Sequence, residues 1–122
     1  NDGQGSFSFQ PFPKLAQFAP SFAACFLNVD GDEYVDLVLA QNFFGPQPET
    51  GRMAGGLSVL LRGLGDGTFQ AIWPNQSGIV VPEDAKSVAA ADLNGDRRLD
   101  LVFGINDGKV VSLLRTDTRL ND

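Results

Sequence analysis

Asp92-Leu93-Asn94-Gly95-Asp96-Arg97-Arg98-Leu99-Asp100, running directly into Leu101-Val102-Phe103, is the stretch on which the reading of this chain turns. Oxygen-bearing side chains stand at positions 1, 3, 5 and 9 of this nine-residue loop. Such alternation aims several hard oxygens at one point, which is what a calcium ion requires. The same arrangement occurs earlier as Asn28-Val29-Asp30-Gly31-Asp32-Glu33-Tyr34-Val35-Asp36, followed by Leu37-Val38-Leu39. Two such loops in matching contexts make a repeat.

Working outward, each loop is preceded by a strand of small apolar residues (22–27 and 87–91) and followed by a continuous apolar run suited to a strand covered on both faces (37–40 and 101–104). A third strand follows over 57–62 and 109–115. In the first unit the turn Gly63-Leu64-Gly65-Asp66-Gly67 leads into a fourth strand over 68–73. Aligning Arg62 with Arg115 places an insertion of 11 residues within 42–56 of the first unit. Gly5-Ser6-Phe7 matches Gly67-Thr68-Phe69, so alternating Phe7 and Phe9 read as a strand with one buried face. Segments 11–20 and 74–82 read as connections rather than elements, and Asn75-Gln76-Ser77 matches an N-glycosylation acceptor triplet.

Four short strands per unit is the pattern of an antiparallel β-propeller blade. The expected fold is therefore all-β, about two four-stranded blades of a larger propeller in a shifted frame. Residues 1–13 form the last strand of a preceding blade, 14–81 a complete blade, and 82–122 a second blade lacking its fourth strand. Two blades do not close a ring. The expected partners are the remaining blades of a parent propeller or further copies of the chain.

Composition excludes several function classes. The net charge is −6, with no basic stripe for a phosphate backbone, so nucleic acid is not a partner. The loops alone supply six aspartates, and two calcium ions would bring −6 to about −2. There is no histidine to activate the single cysteine, Cys25, which reads as a small core residue. No apolar run reaches the length of a membrane span.

An EF-hand competes for the acidic loops but fails. Position 12, where it needs a bidentate Glu, is Leu39 and Phe103, and the flanks have strand composition. Asp36 and Asp100 at position 9 are the better closing ligands. Position 7, Tyr34 and Arg98, shares no side-chain oxygen chemistry and so offers its backbone carbonyl. Position 6 is Glu33 and Arg97 where glycine would ease the turn, at a cost of about 1 kcal/mol if left-handed.

These residues resemble the FG-GAP or VCBS repeats of integrin-like β-propellers, with their Asp-x-Asn-x-Asp-Gly-x-x-Asp-Leu-Val loop and later Gly-Asp-Gly-Thr-Phe turn. The 42–57 segment is similar to the corresponding loop of bacterial VCBS-repeat proteins of the ASPIC/UnbV type. The resemblance implies a secreted, periplasmic or surface-displayed protein with calcium between the first and second strands of each blade. The ligands it implies are Asn28, Asp30, Asp32, Tyr34 through its carbonyl and Asp36, then Asp92, Asn94, Asp96, Arg98 through its carbonyl and Asp100.

The expected function is a non-catalytic scaffold for adhesion or for recognition of protein or glycan. Phe43, Phe44, Arg52 and Met53 in the insertion are residue types found at binding surfaces. The competing expectation is the propeller portion of an extracellular polysaccharide-acting enzyme, using carboxylates outside the loops such as Glu49, Glu83 and Asp84. Trp73 and the alanine-rich first strands read as core, since the innermost strands of blades converge where only small side chains fit.

Overall fold

A computed structural model describes residues 3–42 and 56–116. The elements are β1 (Ser21–Leu27), β2 (Asp36–Gln41), β3 (Val59–Gly63), β4 (Phe69–Ile72), β5 (Ala85–Ala91), β6 (Asp100–Ile105) and β7 (Val111–Leu113), with single helical turns at Lys14–Gln17 and Pro74–Ser77. They form two antiparallel sheets, ordered β1-β2-β3-β4 and β5-β6-β7. Each is a meander in which every strand pairs with its sequence neighbour, the arrangement of a propeller blade.

The apolar runs are continuous because sheet one is covered on both faces. Along β2, Val38 and Ala40 enter a core shared with the second sheet, where they meet Leu101 and Phe103. Leu37 and Leu39 point the other way, joining Val59, Leu61 and Ala16. Hence all six residues of β2 are buried, despite the period-two alternation of a strand. Phe103 is fully buried between the sheets, so truncating it to Ala removes about 3–5 kcal/mol.

The two units share one pairing register at their inner strands. Ser21 pairs with Gln41 as Ala85 pairs with Ile105, and both ladders shift register immediately afterwards, between Ser21 and Ala23 and between Ala85 and Ser87. Strand β5 packs against β1 and β2, which is how adjacent blades meet along their inner strands.

Several expectations need correction. Opposite Leu37 and Leu101 stand Leu61 and Leu113, so the third strands align Gly63, not Arg62, with Arg115. The insertion is therefore 12 residues rather than 11. Residues 3–13 form no strand, and Phe7 and Phe9 are 83% and 88% exposed. The alternation is present, but no strand of either sheet pairs with the segment, which touches edge strand β4 through the Phe12 ring on Phe69. The 11–20 connection is not merely surface: Lys14–Gln17 is helical, and Ala16 and Ala19 are buried. Connection 74–82 likewise begins with a helical turn and sends Ile79 and Val81 into the shared core. Cys25 is only half-buried, and Trp73 is 58% exposed rather than a core residue. Trp73 stands at the N-cap of the helical turn after β4, and its side chain makes no capping hydrogen bond there.

Candidate metal-binding site

Both acidic loops fold by the same local rule. At position 1, Asn28 and Asp92 accept the amides of Gly31 and Gly95, each at 2.8 Å. At position 3, Asp30 and Asn94 accept those of Asp32 and Asp96, each at 3.2 Å. At position 5, Asp32 and Asp96 accept those of Tyr34 and Arg98, at 2.8 and 2.9 Å. Short Asp and Asn side chains reach backbone a few residues ahead, so the residue types curl the loop and gather its oxygens inside. Gly31 and Gly95 both take φ of 78°, the left-handed geometry this curl requires.

Position 9 ties each loop to its blade. One oxygen of Asp36 accepts the amide of Val29 and the other that of Gly63, both at 2.9 Å. Asp100 does the same with Leu93 and Arg115, at 2.9 and 2.7 Å. Both carboxyls are essentially fully buried. Burial pushes the Asp36 carboxyl above its ordinary value, against the two amides and with help from the nearby charges of Asp30 and Asp32.

Among the described residues, the structure brings three carboxylates to one point only in the second loop. Oxygens of Asp92, Asp96 and Asp100 lie within 4.8 Å of one another. The first loop differs at position 1. Asn28 has a nitrogen where Asp92 has a second oxygen, and that nitrogen donates to the Asp32 carbonyl. The second oxygen of Asp92 instead accepts the Arg97 amide at 2.8 Å, and Arg97 is left-handed with φ of 68°. Of the two position-6 residues expected to carry this strain, only Arg97 does so; Glu33 has an ordinary φ.

Each loop also carries an arginine on its carboxylates. Arg62 Nε, from β3, lies 2.8 Å from Asp30 Oδ2, close enough for an ion pair although its direction is poor for a hydrogen bond. Its Nη2 is 4.0 Å from Asp32. Arg98 grips Asp96 Oδ2 through Nε at 3.1 Å and Nη2 at 2.8 Å. The Arg98 amide and guanidinium hold the Asp96 carboxyl below the usual carboxylate range. The Tyr34 ring meanwhile packs against Gly65, where no Cβ would fit. As a donor set, Asp92, Asn94, Asp96 and Asp100 suit a hard divalent cation, with the first loop partly satisfied by Arg62.

Sequence reasoning missed the residues that connect the loops to the rest of the molecule. Arg62 is one; its signal was a lone charge ending an apolar strand. Arg115 is another, its guanidinium donating to the Val29 carbonyl and so linking the second sheet to the first acidic loop. A third group lies at the opposite end of the strands, where the insertion emerges. Asn42 is fully buried, accepts the Gly56 amide at 2.8 Å and donates to the Gly56 carbonyl at 2.6 Å, pinching the two ends of the insertion together. The same amide reaches the carbonyls of Pro82 and Glu83, each at 3.1 Å. Lys86 donates to the Asn42 carbonyl at 2.6 Å, pairs with Asp84 and lies 3.7 Å over the Phe22 ring. Buried Asp84, offered above as a catalytic carboxylate, is held by Lys86 and Asn106. Glu49, Phe43, Phe44, Arg52 and Met53 lie outside the described residues.

Among the described residues no helix is long and apolar enough to cross a membrane. The FG-GAP-like repeat profile matches residues 28–103, from the first residue of one acidic loop to the strand after the other. No significant similarity to a curated protein or to a solved structure accompanies that match. With two blade-like meanders, each carrying the same acidic loop between its first two strands, and a profile match over more than half its length, the chain belongs to the FG-GAP-like repeat family.

Proposed function

We propose that this chain is a non-catalytic, calcium-binding β-propeller module of a secreted or surface-displayed protein, serving as a scaffold for recognition of protein or glycan. The observation that carries the reading is the convergence of Asp92, Asp96 and Asp100 within 4.8 Å. Three carboxylates at that spacing repel one another, and a divalent cation turns the repulsion into attraction.

Asp92, Asn94, Asp96, Asp100 and the Arg98 carbonyl hold one ion. Asn28, Asp30, Asp32, Asp36 and the Tyr34 carbonyl hold a second, more weakly, because Asn28 lacks a charge and Arg62 already neutralises Asp30. Bound calcium acts as a clamp on the turn between the first two strands of each blade. Affinities of roughly 10⁻⁴ to 10⁻³ M suffice outside cells. Recognition falls to the 42–56 insertion, whose ends leave the blade away from the acidic loops and whose sequence likeness to ASPIC/UnbV-type proteins sets it apart from a plain repeat.

Calorimetric titration with calcium tests the metal reading: two sites of unequal affinity are expected, with D96N abolishing the tighter one. At 100 times the dissociation constant, an ion adds about 2.7 kcal/mol of stability, so chelator should lower Tm by several degrees. A melt indifferent to chelator overturns it. Retained Tm with lost glycan or protein binding in F43S/F44S supports recognition through the insertion.

A further inference from the structure

The two acidic loops are joined by a chain of hydrogen bonds that runs from one blade to the other. Oδ2 of Asp36, which closes the first loop, accepts the Val29 amide at 2.9 Å. The Val29 carbonyl accepts from the Arg115 guanidinium, which reaches it from the second sheet. The Arg115 amide in turn donates to Oδ1 of Asp100, which closes the second loop, at 2.7 Å. Three hydrogen bonds and two residues thus connect the two closing carboxylates.

The arginine side chain is an addition to what the repeat itself needs. Its counterpart in the first blade is Gly63, which gives Asp36 the same amide contact at 2.9 Å. A Cβ on Gly63 would run into the Val35 carbonyl, so the first blade has room there for the amide alone. Val29 is also held from a second direction. Its side chain packs against the core shared by the two sheets, whereas Leu93, at the same position of the second loop, is 46% exposed. The Arg115 contact is partly buried, and a charged donor in such surroundings makes a stronger hydrogen bond than at a wet surface. The first loop is therefore sensitive, through one residue, to how firmly the second blade holds Arg115.

We propose that the two loops bind calcium with positive cooperativity and that Arg115 is the positioning residue that couples them, an inference that rests on the calcium reading above. Once the second loop is filled, Asp100 is held by its ligand role as well as by its two amides, and the end of the third strand at Arg115 is held with it. The guanidinium then stays on the Val29 carbonyl, and Val29 keeps its amide on Asp36 in the geometry the first loop needs. Part of the ordering that the first loop requires is thus complete before its own ion arrives, and this is the source of the coupling. Arg62 on Asp30 makes the first loop the weaker site, so the second fills first and the first benefits.

Amide NMR of the full chain during a calcium titration tests it, at about 0.15 M salt, where charges beyond about 8 Å are screened from one another. The Gly31 and Gly95 amides, each bonded inside its own loop, report the two sites separately. D96N silences the second loop and leaves the bridge intact, because Asp96 is no member of it. It should raise the calcium needed for half-saturation at Gly31 about fivefold or more. In R115Q the same substitution should leave the Gly31 midpoint where it was. Loss of the arginine's charge acts on both members of that comparison alike, whereas loss of the bridge removes the dependence of one loop on the other. Should R115Q fail to fold, hydrogen exchange at the Val29 amide decides instead: in D32N, with the first loop silenced, calcium in the second loop should slow it about fivefold. A Gly31 midpoint indifferent to D96N, a dependence that persists in R115Q, or a Val29 exchange rate blind to calcium overturns the proposal and leaves the calcium reading standing. No calcium shift at either Gly31 or Gly95 overturns both.

Discussion

Asp36 at the head of β2 accepts the amide of Gly63 at the end of β3 across 2.9 Å. Asp100 repeats the contact with Arg115 at 2.7 Å, and the second oxygen of each aspartate accepts a loop amide. The buried carboxylate therefore fastens the acidic loop, the second strand and the third strand together, whatever else it binds. Substituting Asp36 or Asp100 by Asn turns one acceptor into a donor that faces an N–H. Each variant is expected to lose about 1–3 kcal/mol in urea denaturation with chelator present. A residue serving only as a metal ligand would be silent under those conditions.

Arg62 occupies Asp30 at 2.8 Å, and a cation entering the first loop must share that carboxylate. Repulsion between a divalent ion and a guanidinium about 5 Å apart in water is on the order of 1.5 kcal/mol. R62Q is therefore expected to raise calcium affinity at the 28–36 loop about tenfold, leaving the 92–100 loop unchanged. Calorimetry in a D96N background, with the second loop silenced, isolates the effect.

Asn42 combines a φ of 96° with a side chain that serves both Gly56 backbone groups and two further carbonyls. N42A loses the hydrogen bonds and keeps the unfavourable φ, while N42G loses the hydrogen bonds alone. Both are expected to be destabilised by about 1–3 kcal/mol. N42G should be the milder, the reverse of the usual order of Gly and Ala in regular structure, as read by thermal or urea denaturation.

Two carboxyls shift in opposite directions from the ordinary value of 3.8. Asp66 is held low, chiefly by the Thr68 hydroxyl and then by its amide, within the glycine turn. Its contribution to stability is complete above 3.8 and is lost as pH falls through its lower folded value. Asp36 is raised by burial, so in chelator its contribution falls as pH rises from 3.8 through its folded value. Carbon-13 carboxyl titration in chelator should place Asp66 below the ordinary range and Asp36 above it. D66N should shift the acid unfolding midpoint upward.

The blade was legible because its determinants are local. Alternation at positions 1, 3, 5 and 9, apolar runs after each loop and the Gly-Asp-Gly-Thr-Phe turn all act within a few residues, and β1 to β4 and β5 to β7 fall where those signals place them. The alignment of third strands was misread by one residue because Arg62 and Arg115 look alike, whereas register follows the pairing of Leu61 and Leu113 with the second strands. Phe7 and Phe9 show the opposite failure: their pattern is that of a strand, yet a strand exists only where a neighbouring edge accepts its hydrogen bonds.

What the sequence determined by itself, then, was the repeat and the acidic character of its two loops. The curl that turns Asp92, Asn94 and Asp96 inward is built from hydrogen bonds no more than five residues long. Tertiary structure decided how the two loops differ and what they are tied to. Arg62 reaches Asp30 from another strand, Arg115 reaches Val29 from another sheet, and Asn42 joins Gly56 to the connection at Pro82. Those contacts span 14 to 86 residues and depend on register and sheet packing, which fix directions that no local pattern encodes.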